Sequence, residues 1–310
     1  MILTITLNAS IDKTAIINNF KTGKINRLDK PLEFAGGKGL NVTRALKNLG
    51  YHDTLSTGFV GGKNGEKLKI LMDLENINHD FFEINDETRC CLAIIDNELN
   101  KITELNENGP NISLQELNSF MNKLENLLLK TKVMVISGSV PESLPENIYY
   151  DIITLAKKNN IVTVLDAKGK YLKNGIGAYP YIIKPNQYEA EELLDFSLDS
   201  QESWLKGIYF LCNYCSIAVI TLENKGCVIG TKNEIYHLTP PQIKLVNSVG
   251  SGDSFLAGLV YGLVNNKSLK DSGILAIATG TANAQTMQAG HFDNLSIEDI
   301  VKEVKIEKLL

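Results

Sequence analysis

The second half of the chain alternates between short apolar runs and longer segments with helical spacing. The runs VMVISGS (133–139), IVTVLDA (161–167) and SIAVITLE (216–223) are almost continuously apolar. A strand has this composition when helices cover both faces of its sheet, because neither face then meets water. The pattern predicts an α/β fold with a mainly parallel central sheet between layers of helices. A late helix is expected from about Leu269 to Gln288.

The N-terminal third follows a different pattern. Segments near 12–35 and 88–106 interleave polar with apolar residues, as strands do when one face of their sheet is wet. The run INRLDKPLEFA (25–35) is interpreted as one of these strands, and a helix from about Gly39 to Leu49 follows it. No linker divides the chain. We therefore predict a single domain over residues 1–310, with a small β-sheet lid formed by the two interleaved segments.

The charge balance argues against a nucleic-acid-binding surface. The 310 residues include 31 Lys and Arg against 36 Asp and Glu, a net charge of −5, whereas such a surface usually carries a basic excess. The longest apolar runs fall far short of the roughly 20 residues that a membrane helix needs. The N-terminal MILTITLNAS has no basic leader and is interpreted as a strand. We expect neither nucleic-acid nor membrane partners.

The cysteines favour a reducing compartment. There are five, without the spacing of a disulfide framework, and we therefore expect a cytoplasmic protein. Cys212 and Cys215 form a CxxC motif, which could be redox-active or half of a metal site. The alternative is two small apolar residues one turn apart on a packed helix. The alternative is favoured because the sequence has no second CxxC.

A carboxylate follows a glycine pair in the run LVNSVGSGDSFLAGLVYGL (245–263). Gly250 and Gly252 allow a tight turn close to a ligand, and the helix that follows directs free N–H groups towards an anion. Asp253 could simply cap this helix. It could also be a general base beside a phosphate site, as phosphoryl transfer to a hydroxyl requires. With the ordinary pKa of about 3.9 it would be ionised at neutral pH without special tuning.

Two other phosphate-binding loops are excluded. The chain has no G-x-x-x-x-G-K-[ST] sequence, and Phe255 stands where a dinucleotide fingerprint would need its third glycine. A second glycine cluster, FAGGKGLNVTRAL (34–46), instead surrounds Lys38. One basic and one acidic glycine-rich site in the same chain fit two different substrates.

The glycine motifs carry a resemblance when they are read together. In order along the chain, GGKGLN (36–41), IIKPNQYE (182–189) and VGSGDS (249–254) resemble the ribokinase-like (PfkB-type) carbohydrate kinases, and the resemblance spans nearly all of the sequence. It implies a ribokinase-like three-layer α/β sandwich with a β-sheet lid over the sugar, and the use of ATP with Mg²⁺.

The resemblance also implies roles for individual residues. Asp253 matches the catalytic base, and Gly250, Ser251 and Gly252 match its anion hole. The nucleotide-side matches are Lys184, Asn186, Glu189, Thr221, Gly226 and Asn283, with Glu189 acting indirectly on Mg²⁺. Asn186 and Glu189 could instead form a capping box at the start of a helix. The family usually has glycine where Glu223 stands.

On the acceptor side, Asp12, Gly37 and Asn41 match contacts to sugar hydroxyls. Ser139 follows a core strand in SGSVP (137–141), where the end of a parallel sheet can present it to a substrate.

Three cations suggest a subgroup of the family. Lys38, Arg27 and Arg89 resemble the cations of sugar-phosphate kinases, which bind a phosphate already on the substrate; a dianion needs such partners. Solvated surface charge is the alternative for Arg27 and Arg89.

We therefore expect an ATP-dependent kinase of a ketohexose phosphate. Fructose 1-phosphate, giving fructose 1,6-bisphosphate, is the leading substrate, and tagatose 6-phosphate is the alternative. A kinase of an unphosphorylated sugar and a non-catalytic sugar-phosphate sensor are less favoured. Because lids of this family sometimes pair between subunits, a homodimer through the lid is a further expectation.

Overall fold

The computed structural model describes residues 1–96, 98–99 and 101–310. Its strands are β1 Ile2–Thr6, β2 Ser10–Ile17, β3 Leu32–Gly36, β4 Thr54–Gly61, β5 Phe82–Ile84, β6 Arg89–Asp96, β7 Lys101–Asn106, β8 Val133–Ser137, β9 Val162–Asp166, β10 Ile182–Ile183, β11 Ile217–Thr221, β12 Cys227–Gly230, β13 Ile235–Thr239 and β14 Lys305–Lys308. Its helices are α1 Lys38–Asn48, α2 Gly62–Leu74, α3 Leu114–Leu128, α4 Ile148–Lys158, α5 Gly169–Gly175, α6 Gln187–Leu194, α7 Gln201–Leu211, α8 Ser251–Val264, α9 Leu269–Asn283 and α10 Asn294–Glu303.

The large sheet is mainly parallel, as predicted. Its strand order is β14-β13-β12-β11-β10-β9-β8-β1-β4-β5. Every neighbouring pair from β5 to β11 is parallel, and β12, β13 and β14 extend the sheet in antiparallel fashion. The carboxyl ends of the parallel strands therefore meet at one edge, where ligands of open α/β sheets bind.

Helices cover both faces of this sheet. In β8, Met134 and Ile136 belong to the apolar core shared with α3 to α7, whereas Val133 and Val135 belong to the core shared with α1, α8, α9 and α10. Both faces of the strand are buried, which explains its continuous apolar sequence. Full burial of each such side chain contributes about 1.5–3 kcal/mol.

The small sheet has the strand order β3-β2-β6-β7. Strands β2 and β6 are parallel, and the outer strands β3 and β7 pair with them in antiparallel fashion. On one face, Ile11 and Ala35 pack into a core with Leu68 and Met72 of α2. The other face is polar near Asp12 and is turned towards a large cavity. This division between the two faces explains the interleaved sequence pattern.

The expected strand over 25–35 is only partly correct, because β3 begins at Leu32. Pro31, immediately before it, has no backbone N–H to donate to a neighbouring strand, and the residues ahead of Pro31 are mostly exposed. Arg27 lies in this exposed segment.

Two expected helical segments end earlier than their sequences suggested. Helix α9 ends at Asn283 and not at Gln288; the side chain of Asn283 accepts a hydrogen bond from the N–H of Gly290 (2.7 Å), which turns the chain back. Helix α7 ends at Leu211, so Cys212 and Cys215 lie at its end and in the following turn. The Cys215 thiol donates to the Leu211 carbonyl at 3.2 Å.

All five cysteines are free thiols. Among the described residues there is no group of three or more His, Cys, Asp or Glu side chains that could hold a metal ion. None of the helices in the described ranges has the length and hydrophobicity of a membrane span.

Candidate active site

A cavity of about 740 Å³ lies between the carboxyl ends of the parallel strands and the small sheet. Most of the residues singled out from the sequence line it: Asp12, Gly37, Lys38, Asn41, Arg89, Ser139, Lys184, Asn186, Glu189, Thr221, Gly250, Gly252 and Asp253. The fold thus brings both glycine clusters to one place, although more than 200 residues separate them in sequence.

The start of helix α8 forms an anion site. Gly250 precedes the helix with φ 80°, a conformation that favours glycine, and a Cβ there would lie 2.5 Å from the Cβ of Ala289. The N–H of Ser251 donates to the Ser248 carbonyl. No hydrogen bond among the described residues uses the N–H groups of Gly252 and Asp253. These open amides and the helix dipole favour a bound anion.

Asp253 stands beside this anion site and is only 5% exposed. Its Oδ2 accepts a hydrogen bond from Nδ2 of Asn41 at 2.8 Å. Burial raises the pKa of Asp253 to about 6, even though Lys38 acts to lower it. The expectation of an ordinary pKa was therefore wrong. A carboxyl with this pKa is still mostly ionised at neutral pH, and its higher basicity suits a general base.

Asp166 is a candidate site residue that the sequence analysis missed. It ends β9 and is 1% exposed. Its Oδ1 lies 3.1 Å from Nζ of Lys184 and its Oδ2 lies 3.7 Å from Nζ of Lys38. Burial alone would raise the pKa of Asp166, but the two lysines outweigh it and lower that pKa. Its position at the end of an apolar run, IVTVLD, was the signal that could have revealed it.

Lys38, which was expected to bind the phosphate already on the substrate, lies instead beside the buried carboxylates of Asp166 and Asp253. Its pKa is raised above the usual range chiefly by Asp166, with smaller contributions from Asp253 and Glu189. Two lysines on one buried carboxylate leave one surplus positive charge close to Asp253. A site with a base, open amides and surplus positive charge can stabilise a phosphoryl group during transfer to a hydroxyl.

The opposite wall of the cavity is formed by the small sheet together with Asn8, which lies two residues after β1, and Ser139, which lies two residues after β8. Asp12 accepts a hydrogen bond from Ser10 Oγ at 2.6 Å, and burial raises the pKa of Asp12. Oγ of Ser139 accepts from Nδ2 of Asn8 at 3.2 Å. The Oδ1 atom of Asn8 is buried without a hydrogen-bond partner in the described part of the chain. Such an atom is suited to accept from a ligand hydroxyl, so Asn8 is a second residue that the sequence analysis missed.

Arg89 has a defined position on the same wall. Its Nη2 donates to the Asn8 carbonyl at 3.0 Å and its Nη1 donates to the Glu107 carbonyl at 3.2 Å. Since a guanidinium has five N–H donors, Arg89 can bind an anion while it keeps these bonds. Arg27, by contrast, does not line the cavity. It lies in the exposed connection between β2 and β3, so its assignment to a substrate phosphate finds no support within one chain.

Asn186 and Glu189 form the capping box that was the alternative interpretation of their spacing. Oδ1 of Asn186 accepts from the N–H of Glu189 at 2.9 Å, and Oε2 of Glu189 accepts from the N–H of Asn186 at 2.8 Å. Both residues also line the cavity, so capping positions them there. Thr221 lies beside them, since its N–H donates to the Pro185 carbonyl.

Three further predicted residues, Ser251, Gly226 and Asn283, do not line the cavity. Asn283 is fully buried, and its side chain bonds the Val249 carbonyl, Ser251 Oγ and Ser254 Oγ in addition to Gly290. We therefore correct its assignment: Asn283 holds the anion loop in place and has no free donor directed at a ligand.

The turn after β11 has a backbone constraint at two positions. Gly226 has φ 88°, and a Cβ there would lie 1.9 Å from the Leu238 carbonyl oxygen. Glu223 has φ 52°, although a side chain in this left-handed region costs about 1–2 kcal/mol. The glycine that the family usually has at this position would adopt the same backbone without that cost.

Replacing Glu223 by glycine is therefore expected to raise the free energy of unfolding by about 0.5–1 kcal/mol, because relief of backbone strain exceeds the added flexibility of the unfolded chain. Urea unfolding measures the change. Glu223→Ala is the matched control, since alanine removes the carboxylate and keeps the strain. An equal gain in both variants would contradict the backbone explanation.

Comparisons with known proteins identify the family of the chain. The model of the pfkB family carbohydrate kinases matches residues 5–295. A tagatose-6-phosphate kinase of Staphylococcus epidermidis is 36% identical over 99% of both chains. A 1-phosphofructokinase of Borreliella burgdorferi is 34% identical over 100% of this chain and 99% of its own.

A solved structure extends the comparison to the fold. Phosphofructokinase-2 from Escherichia coli in complex with fructose-6-phosphate superposes with a TM-score of 0.89 and 25% identity, covering 97% of this chain and 98% of its own. The similarity confirms the expected ribokinase-like fold. With a family match over nearly its whole length, the chain belongs to the pfkB family of carbohydrate kinases and is an ATP-dependent sugar-phosphate kinase.

Proposed function

We propose that the protein transfers a phosphoryl group from ATP to fructose 1-phosphate, giving fructose 1,6-bisphosphate. The observation that carries the proposal is the buried carboxylate of Asp253 beside the open amides of α8, in the same cavity as Arg89. Tagatose 6-phosphate is the second candidate substrate. Relatives that carry each of the two names have nearly equal identity to this chain, so the comparisons favour neither.

The two substrates are difficult to separate for a physical reason. A ketofuranose has a primary carbon at each end of the ring, and a half-turn roughly exchanges the two ends. One site can therefore offer the free hydroxyl of either sugar to Asp253 while Arg89, on the opposite wall, binds the phosphate at the other end. Bidentate binding by arginine suits such a dianion.

The chemical step is a proton transfer coupled to phosphoryl transfer. Asp253 accepts the proton of the acceptor hydroxyl through Oδ1, since Oδ2 is occupied by Asn41. The amides of Gly252 and Asp253 stabilise charge on the transferred group, assisted by Lys38 and Lys184. Asp12, Asn8 and Ser139 orient the sugar from the small-sheet side of the cavity. Closure of the small sheet, acting as a lid, would exclude water and limit ATP hydrolysis.

The site fits ATP and Mg²⁺. The amide N–H groups of Gly252 and Asp253 are open, and Lys184 faces them with its Nζ 4.0 Å from the Cβ position of Gly252, as a phosphate group requires. ATP supplies the transferred phosphoryl group when it is bound. Glu189 offers carboxylate oxygen, and Mg²⁺ is usually bound by one or two carboxylates together with water and substrate phosphate oxygens.

The proposal is tested by following the reaction of ATP, Mg²⁺ and one sugar phosphate at a time by ³¹P NMR. Fructose 1-phosphate is expected to give ADP and a second phosphomonoester signal from the sugar. Reaction of tagatose 6-phosphate alone would transfer the assignment to that sugar. Reaction of free fructose alone would mean that Arg89 does not bind a substrate phosphate. A sensor without catalysis would use neither Asp253 nor the open amides, and is not favoured.

We also propose a homodimer that forms through the small sheet. Ile16, Leu32 and Ile102 share the face of Asp12 and are 46%, 48% and 41% exposed. Large apolar side chains grouped on one exposed sheet face are typical of an interface. The free thiols support our placement of the protein in the cytoplasm.

Ile16→Asp is expected to convert the dimer to monomer, because the interface would bury an unpaired charge. Sedimentation velocity at micromolar concentration measures the mass. Ile70→Asp, on the exposed side of α2, is the matched control, since Ile70 is 58% exposed away from the small-sheet face. A monomeric wild-type protein would overturn this proposal.

A further inference from the structure

We propose that Arg44 is a positioning residue that fixes the catalytic carboxylate of Asp253 through the side chain of Asn41. The inference rests on the proposed role of Asp253 as general base and adds the residue that holds this base in position. Arg44 lies on α1 and is 5% exposed. Nothing in its sequence position alone distinguishes it from a surface arginine of a helix.

The guanidinium of Arg44 is held from several directions. Its Nη1 donates to Oδ1 of Asn41 and to the Ala289 carbonyl, both at 2.8 Å. Its Nη2 donates to the Ala35 carbonyl at 2.6 Å and to Oε1 of Glu75 at 3.1 Å, and its Nε donates to Oε2 of Glu75. A buried arginine with these partners has little freedom to move.

The contact with Arg44 fixes which way the amide of Asn41 points. Arginine has only donors, so the atom of Asn41 that faces it must be the carbonyl oxygen. The NH₂ group of Asn41 must then face Asp253, where Nδ2 donates to Oδ2 at 2.8 Å. This bond occupies Oδ2 and leaves Oδ1 for the substrate proton. Asn41, which the family resemblance assigned to the sugar, is accordingly a donor to the base.

The same guanidinium connects three parts of the site. Ala35 is the second-last residue of β3, an outer strand of the small sheet, and Ala289 packs against the Gly250 turn of the anion loop. Glu75 directly follows α2. Arg44 therefore holds the base, the anion loop and the end of β3 in one arrangement.

Loss of Arg44 would free the amide of Asn41 to rotate. A rotated amide presents its oxygen to the carboxylate, so Asp253 loses a hydrogen bond that lowers its pKa. The other charged groups that act on Asp253 are Lys38 of α1, Asp166 of β9 and Lys184 after β10. These groups are unchanged by substitutions at Arg44 and Glu75, and we therefore expect the pKa of Asp253 to rise in such variants.

The test uses Arg44→Met combined with Glu75→Gln, which removes the cation and its partner together and leaves no buried unpaired charge. Glu75→Gln alone is the control: Arg44 keeps its bonds to Asn41, Ala35 and Ala289 but loses its carboxylate partner, so this variant loses stability without losing the contact with Asn41. The double variant is expected to lose about 10–100-fold in kcat, the value of one hydrogen bond to a charged group. Its KM for the sugar phosphate should change little.

Two readouts separate positioning from general stability. The acid limb of kcat/KM should move to higher pH in the double variant and stay in place in Glu75→Gln. In an Asn41→Leu background the Arg44→Met substitution should have almost no further effect, because both changes act on one contact. Additive effects, or an acid limb that does not move, would overturn the proposal.

A third readout does not depend on activity. The carboxyl ¹³C signal of Asp253, assigned by its absence in Asp253→Asn, gives the pKa of this group directly. A rise in that pKa in the double variant supports the positioning role of Arg44 even if the proposed substrates are wrong. An unchanged pKa would refute the positioning role of Arg44 while leaving the proposed function intact.

Discussion

Replacing Asp253 by asparagine is expected to lower kcat by about 10²–10⁴-fold, with a modest change in KM. Asparagine keeps the shape and the hydrogen bond with Asn41 but cannot take the proton of the acceptor hydroxyl. Steady-state kinetics of ADP release measure the loss. Glu104→Gln is the matched control, since Glu104 is a carboxylate on the small-sheet side of the same cavity. Near-normal turnover of Asp253→Asn would contradict the assignment of the base.

The same variant should be more stable than the wild type at neutral pH. The folded protein raises the pKa of Asp253 to about 6, from about 3.9 in an unfolded chain. The ionised carboxylate therefore destabilises the fold above the folded pKa, and this penalty disappears below the unfolded one. Asp253→Asn should gain about 1–3 kcal/mol at pH 8 and nothing near pH 3. This gain also shows that lost activity is not lost folding.

Replacing Asp166 by asparagine is expected to lower the free energy of unfolding by about 3–5 kcal/mol, because it leaves the buried Lys184 without its partner. Lys184 is 4% exposed, so water cannot solvate the unpaired ammonium. Turnover should also fall, since Lys38 and Lys184 lose the carboxylate that positions both. Urea unfolding and steady-state kinetics measure the two effects.

The pH profile gives this variant a distinct signature. The charge of Asp166 raises the pKa of Asp253, so its removal should move the acid limb of kcat/KM to lower pH, opposite to the Arg44 variant. Asp166→Asn combined with Lys184→Met removes both buried charges and should recover part of the stability. A single variant as stable as the wild type would contradict the account of this ion pair.

The large sheet could be predicted because strands that are buried on both faces are almost continuously apolar in sequence. Strand β8 is continuously apolar because it contacts helices on both faces. Strand β2 interleaves polar and apolar residues because one of its faces is polar. The start of β3 and the end of α9 could not be placed as well. They depend on the missing donor of Pro31 and on a long-range bond between Asn283 and Gly290.

The chemical type of the site could be predicted from the sequence, but several of its residues and contacts could not. Gly250 and Asp253 carry a local signal, since a turn, a helix start and a carboxylate follow one another in sequence. Asp166 carries a weaker signal, because its place at the end of an apolar run marks the edge of the sheet but its ion pairs depend on lysines elsewhere in the chain. Sequence also does not reveal the direction of a side chain. Lys38 was expected at the substrate phosphate but lies beside Asp166, and Asn283 was expected at the nucleotide but bonds the anion loop.

The most direct test of the central claim compares kcat/KM for fructose 1-phosphate, tagatose 6-phosphate and free fructose in one ADP-release assay with ATP and Mg²⁺. Charge-assisted hydrogen bonds of about 1.5–3 kcal/mol each to the substrate phosphate predict that one sugar phosphate is preferred over free fructose by at least about 100-fold. Equal or faster turnover of free fructose would contradict the account of a sugar-phosphate kinase with Arg89 at the phosphate.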